Sequence, residues 1–349
     1  MNIGFHALAA LAVIMGMVLI LPFSVKKVEE ELEAFLFIMG ALAVTVAGRW
    51  NLHLVRESLV EPIKISLAVL IVGFIFRLAR SYVRRAVDRV VDILGLRLAV
   101  AVIVFVLGIS SSVITAIIAA LILAEVVTAL RLDRRYELRL VVCACYAIGL
   151  GAALTPLGEP LSTIVVAKLK GPPHNADFLY LARLLAKWIV PGIAVVSALT
   201  AWKVGHAACD AATLSEDKPE DAKDIIVRSG KVYIFVMALI FLGSGLSSLA
   251  ERTVAMVPDW ALFWLNSVSA ILDNATLAAA EIVPSMSDKK ITFVLMGLLI
   301  SGGMLIPGNI PNIISATKLN IRSREWAGTA VPIGAVMMAG YFILLLCIR

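Results

Sequence analysis

The chain of 349 residues is 61% hydrophobic and only 16% charged, with a mean hydropathy of +0.96, which excludes an ordinary soluble domain and reads as a polytopic membrane protein. The net charge of +6 is no sign of nucleic-acid binding, because Lys and Arg gather between apolar segments, where they report topology. Cys143, Cys145, Cys209 and Cys347 form no CxxC pair and no pattern with histidine, so no disulfide or metal framework is expected. No HExxH or GxSxG occurs, and the four histidines fall at span ends or in loops, so the chain is not read as an enzyme.

The first span runs from Gly4 to Phe23 and has no small-residue cleavage site, which predicts a retained helix rather than a signal peptide. Ala34 to Ala47 and Pro62 to Ala79 give two more spans. Arg80, Arg84, Arg85 and Arg89, between Arg77 and Arg97, form the densest basic cluster, which places that segment on the cytoplasmic side. Val83, Ala86, Val87, Val90 and Leu94 recur there at helical spacing, as in an amphipathic helix lying in the interface.

Leu98 to Leu130 is too long for one ordinary span and is basic at both ends. A re-entrant helical hairpin with its tip at Ser110-Ser111-Ser112 is favoured, since those hydroxyls can satisfy freed backbone groups; a tilted or kinked single helix is the alternative. Leu140 to Leu169 is a helix that Thr155-Pro-Leu-Gly-Glu-Pro160 must interrupt, because proline removes a donor and glycine loosens the backbone. Phe178 to Trp202 is a further span, and the polar, charge-rich run from Gly205 to Gly230 reads as a mobile linker between halves.

Beyond it, Val232 to Leu249 crosses back and Ala261 to Val283 forms a second hairpin. Ile291 to Leu319 is then broken at Pro307-Gly-Asn-Ile-Pro-Asn312, and Gly328 to Ile348 is the last span. The expected units are N-terminal helices over 1–61, a first repeat over 62–203, a linker over 204–230 and a second repeat over 231–349.

An internal repeat ties the two halves together. Ala119 to Val127 laid over Ala275 to Val283 gives five identities in nine, Glu125 falling on Glu281. Gly158 to Leu169 laid over Gly308 to Leu319 matches the glycine, an isoleucine and the closing Lys-Leu. Paired, interrupted segments in corresponding places point to a transporter's binding site. With the arginine clusters held cytoplasmic, Lys318, Arg322 and Arg324 fall on the same side, so the repeats are inverted, with eight full crossings besides the hairpins and both termini outside. The fold expected is therefore an all-α integral membrane protein, an inverted-repeat transporter with two re-entrant hairpins and two Gly/Pro-broken helices.

Asp273, Asn274, Thr276 and Glu281 lie in an otherwise apolar run, where an ionised carboxylate needs a partner, a proton or a cation. Sodium wants oxygen ligands, and interrupted helices supply carbonyls beside side-chain oxygens. Asp273, Thr276, Asn309 and Asn312 compose one candidate site, with Ser112, Thr115, Glu159, Ser162 and Thr163 as its counterpart. Asp273, Thr276 and Asn309 are the candidate sodium ligands. Structural roles stand beside these: Asn309 and Asn312 as helix caps, the hydroxyls bonding their own backbone, Glu159 as an N-terminal cap, and Glu125 paired with a neighbouring arginine.

The motifs "LDNAT", "IPGNIPNIISA" and "LTPLGEPLSTIV" resemble the ion-transporter superfamily that includes arsenite carriers, sodium/proton antiporters and sodium-coupled dicarboxylate carriers. Within it, the chain looks like a family of predicted cation transporters of unassigned substrate. In the antiporter and arsenite branches an Asp-Asn dipeptide occupies the second tip, which Asp273 and Asn274 match. The dicarboxylate symporters use Ser-Asn-Thr at both tips, and this chain departs from that. The resemblance is compatible with a homodimer built on the outer helices.

The expected function is secondary transport by alternating access, as a cation/proton exchanger with sodium, in the plasma membrane. Proton and cation would compete for Asp273. No resident cofactor is expected; the partners are the lipid bilayer and a small inorganic ion, not nucleic acid. Alternatives are a coupled carrier of an anion or of neutral arsenite and, in another class, a passive channel.

Overall fold

The computed structural model describes residues 5–204, 222–254, 257–271 and 274–347. Within these, every regular element is a helix. Helix α1 spans Phe5–Ser24, α2 Lys26–Glu30 and α3 Leu32–Ala47; α3 ends where Gly48 takes a left-handed conformation at φ 63°. A left-handed residue just past a helix is the usual glycine stop.

Asn51 then starts α4, Leu52–Ile114, its side chain accepting a hydrogen bond from the Leu54 amide at 2.8 Å. The expected third span and the arginine-rich segment after it are thus one continuous helix as far as Gly95, where φ 70° and ψ 154° break it. Of the apolar stripe there, Val87 is buried, Val90 and Leu94 are half-buried and Ala86 is exposed. A second break falls at Thr115, and α5, Ala116–Leu130, packs back against α4. Ser110, Ser111 and Ser112 therefore sit inside the last turn of α4, and the turn comes three residues later than expected. The serines satisfy the helix itself: Ser110 Oγ donates to Leu107 O, Ser111 Oγ to Gly108 O and Ser112 Oγ to Ile109 O. Back-bonding of this kind lets hydroxyls stay within a helix rather than end it.

Helix α6, Arg134–Ala152, capped by Asp133, is buried along nearly its whole length. After the interruption come α7, Pro160–Lys168, and α8, Tyr180–Val204. Arg183 pairs with Asp177 at 2.7 Å, and this hydrogen bond holds the exposed Asp177 carboxyl below the usual carboxylate range. Helix α9 spans Ala222–Val254. The polar linker is accordingly shorter than expected: residues 222–230 are helical, and Arg228 and Ser229 within them are buried, while 205–221 lie outside the described residues.

Helix α10, Asp259–Leu265, runs into a 3-10 turn at Asn266–Ala270, and α11 covers Asn274–Glu281. Ser287 caps α12, Asp288–Gly302. A 3-10 turn at Ile306–Gly308 leads to α13, Ile310–Lys318, and α14 is Ser323–Leu346.

Five helical stretches among the described residues are long and apolar enough to cross a bilayer: Leu52–Ile75, Arg85–Ile114, Tyr180–Ala201, Ala222–Leu246 and Ser323–Leu346. His6–Pro22, Leu32–Ala47 and Ala116–Leu130 are shorter apolar helices. Large apolar side chains on these helices, such as Ile71, Val113 and Val336, face outward, as suits a chain whose surroundings are hydrocarbon rather than water. The buried centre is built on α6 and α12, whose residues Leu140–Ala153 and Ile291–Gly302 are enclosed throughout.

The contacts between the two halves are exchanged. Helix α7 packs on α11, and α13 packs on α5, so each short helix that follows an interruption rests on an arm belonging to the other half.

Candidate functional site

Both interruptions share one backbone design. Helices α6 and α12 stop at Ala152 and Gly302, and α7 and α13 start at Pro160 and Ile310 and end at Lys168 and Lys318, a constant separation of 150 residues. The residues preceding the restart, Glu159 and Asn309, have nearly the same extended conformation (φ −156° and −155°), and so do the residues that end it, Leu169 and Leu319 (φ −97° and −96°). A proline in the first turn of each restarted helix lacks the donor that a helix start leaves unused. Gly158 and Gly308 lie so close to the carbonyls of Ala152 and Gly302 that any Cβ would overlap them, which explains glycine at both positions.

Around the first interruption, Thr115 at φ 76° is a β-branched residue in a region that normally belongs to glycine, a strain of order 1–3 kcal/mol. Its Oγ1 accepts from the Ile118 amide at 3.4 Å, and the next amide, Ala116 N, donates to Gly158 O at 2.9 Å. Thr155 Oγ1 donates to Ser112 O. Ser162, fully buried, donates to Ala152 O at 3.4 Å. Glu159 is buried at the head of α7 without making a side-chain cap to it. Ser112, Thr115, Glu159 and Ser162 thus gather at one place. Thr163 does not join them: it is exposed and donates to Pro156 O at 2.7 Å.

At the second interruption the work falls to amides. Asn312 is fully buried, and its Nδ2 donates to Gly302 O and to Leu305 O, both at 2.9 Å. Gly302 O is a carbonyl that the end of α12 leaves without a helical partner, and Leu305 O also accepts from the Gly308 amide at 3.3 Å. Two acceptors on one nitrogen fix the amide's orientation, and Asn312 Oδ1 is left buried with no hydrogen-bond partner among the described residues. Asn309 does not cap α13 with its side chain; its amide nitrogen lies against Gly149 of α6, one turn before the first interruption. Asn274, also buried, lies against Gly302. The absence of side chains at Gly149 and Gly302 is what admits these two amides. Asp273 lies outside the described residues, as does the Thr276 side chain.

Asn266 went unnoticed in the sequence. It is buried, donates to Val294 O at 3.2 Å, and its own carbonyl accepts from Ser301 Oγ at 2.6 Å. A lone amide in the apolar run before Ile271 was the available signal. Glu125 is paired with Lys318 of α13, not with one of the neighbouring arginines. The exchanged packing that brings α13 onto α5 is the reason, since it delivers a lysine from 193 residues away.

All-helical architecture, outward apolar faces and buried polar groups at two helix breaks define a multi-pass helical membrane protein. The chain belongs to the DUF1646 family, described as a protein of unknown function, which it matches over residues 8–348. No curated protein matches it.

Proposed function

We propose that this protein is a secondary transporter of the plasma membrane that exchanges sodium for protons by alternating access, on an inverted-repeat scaffold with two re-entrant hairpins. The observation that carries the reading is the pair of equivalent interruptions, each holding buried oxygen-bearing side chains, with Asn309 of one reaching the α6 segment of the other. Buried breaks of this kind expose backbone carbonyls and helix ends where a dehydrated cation can be held. Asn312 Oδ1 is an oriented, unshared oxygen of the type a hard cation takes. Asp273, next in sequence to Asn274, is assigned the negative charge that holds the sodium. Asn274, Thr276, Asn309 and Asn312 complete the second-half ligand set, with Ser112, Thr115, Glu159 and Ser162 in the first half. A homodimer built on the outer helices belongs to the same proposal.

A second reading, a coupled carrier of an anion, is favoured by a cavity of about 450 Å³ whose lining includes Lys223, Arg228, Lys231, Lys318 and Arg322 against Glu33 and Asp224.

Purified protein in liposomes carrying a pH-sensitive dye should acidify or alkalinise on a sodium gradient, and Asp273→Asn should abolish that response. Wild-type vesicles that move no protons under a sodium gradient, or an Asp273→Asn variant with full flux, overturn the reading. Competition by arsenite or by small anions would favour the coupled carrier instead, and flux beyond carrier rates would indicate a channel.

A further inference from the structure

The two halves carry a glutamate at equivalent places, and among the described residues only one of them has an ion-pair partner. Glu125 on α5 meets Lys318, with side chains 13% and 7% exposed. The equivalent lysine of the first half is Lys168, 150 residues before Lys318, and it lies against α11, which carries Glu281. Lys168 Nζ does not go to that carboxyl. It donates to the main-chain oxygens of Ala279 and Ile282, the latter at 3.0 Å, at the end of α11. Glu281 itself is 4% exposed, and its Oε2 has no hydrogen-bond partner among the described residues. Its carboxyl does receive a hydrogen bond from the Asn266 side chain.

An ionised carboxylate in this position is opposed three times over. It is out of water, no described side chain forms an ion pair with it, and it sits in the last turn of a helix, where the backbone dipole is negative. The surface is nonetheless near, since Val283, Pro284 and Ser285 are all exposed. The charged groups about this end of α11 are Lys168 of α7, His174 between α7 and α8, which bonds Pro284 O, and Asp288, Lys289 and Lys290 at the head of α12. On α9, which also packs on α11, Glu251 and Arg252 have side chains outside the described set.

We propose that Glu281 is the group that binds and releases the proton of the exchange, distinct from the oxygen cluster that holds the cation; this rests on the sodium/proton reading above. The carboxylate takes a proton from water on one side, forming one O–H bond, and returns it to water on the other when that bond breaks. No electrons are transferred. From Asn274 to Glu281 the α11 axis is about 10 Å long, at 1.5 Å per residue. The charge on Glu281 therefore bears on the neighbouring cation site without sharing its ligands.

The test compares wild type with Glu281→Gln in proteoliposomes, by sodium-driven proton flux and by exchange of labelled sodium for sodium. The expected result is loss of proton flux with sodium/sodium exchange retained. In infrared difference spectra between acid and alkaline buffer, wild type should show a protonated-carboxyl band that Glu281→Gln lacks. If wild type has proton flux and Glu281→Gln keeps it, the assignment to Glu281 is overturned while the exchange reading stands. Loss of both activities in a folded variant also overturns it, by making Glu281 part of the cation site. Wild type without proton flux sinks the exchange reading itself, and this inference with it. Should Glu281→Gln not fold, Glu281→Asp keeps an acid and is expected to retain flux with a displaced pH profile; an undisplaced profile counts against the proposal.

Discussion

The two interruptions have the same backbone and different chemistry. In the first, hydroxyls hold the break together: Thr155 bonds Ser112 O, Ser162 bonds Ala152 O at 3.4 Å, and a carboxylate, Glu159, stands before the restarted helix. In the second, Asn312 spans the gap with two bonds of 2.9 Å, and an amide, Asn309, stands where the glutamate does. The lysines that close the restarted helices differ in the same way, Lys318 neutralising a carboxyl and Lys168 capping a helix end. The backbone symmetry is thus kept by steric necessity at Gly158 and Gly308, while the side chains are free to diverge. Two equivalent frames can thus hold unequal charge.

The contrast between the lysines should give the largest effect. Lys318→Met removes the ion-pair partner of Glu125, leaving the more distant charge of Arg228, and is expected to cost about 3 kcal/mol. Lys168→Met removes charge-assisted bonds to two carbonyls at a more exposed place and should cost about 1–2 kcal/mol. Thermal unfolding in detergent measures both, and equal losses would erase the distinction. Restoration of stability by a Glu125→Gln, Lys318→Met double substitution would locate the cost in the uncompensated charge.

The shared frame predicts a matched pair. Gly158→Ala and Gly308→Ala each force a methyl group onto a carbonyl oxygen and should destabilise by similar amounts, about 1–3 kcal/mol. Gly171→Ala, with open space around it, should be close to neutral. A tolerated alanine at either broken-helix glycine would break the equivalence.

The smallest expected effect compares the groups that bridge the breaks. Asn312→Ala orphans the buried Gly302 carbonyl, leaves Leu305 O with the Gly308 amide alone and should cost about 2 kcal/mol, whereas Ser162→Ala gives up one long hydrogen bond and should cost about 0.5 kcal/mol. Urea or thermal titration of the two variants gives the order, and the reverse order would mean that the first interruption is the tighter one.

Much of this was legible in the chain because it rests on local chemistry. The broken segments were found from Pro156, Gly158, Pro160, Pro307, Gly308 and Pro311, whose effects on the backbone need no partner. The sequence puts the tip of the first helix pair at Ser110 to Ser112, whereas the chain turns at Thr115; three hydroxyls look like a break. Thr115 does not, since a β-branched residue at positive φ is held there only by its surroundings, among them the Ala116 amide bonded to Gly158 O. Asn266 escaped notice for a similar reason: one amide in an apolar run means little until its partners are known.

By itself the sequence determined the membrane class and the position of both helix breaks, because hydropathy, proline and glycine act within a few residues of where they stand. Only the tertiary structure decided which lysine meets which carboxyl, which asparagine lies against a glycine of a distant helix, and which buried oxygens stay unshared. Those outcomes depend on the exchanged packing of α7 on α11 and α13 on α5, and contacts between residues more than a hundred positions apart leave no local trace in the chain.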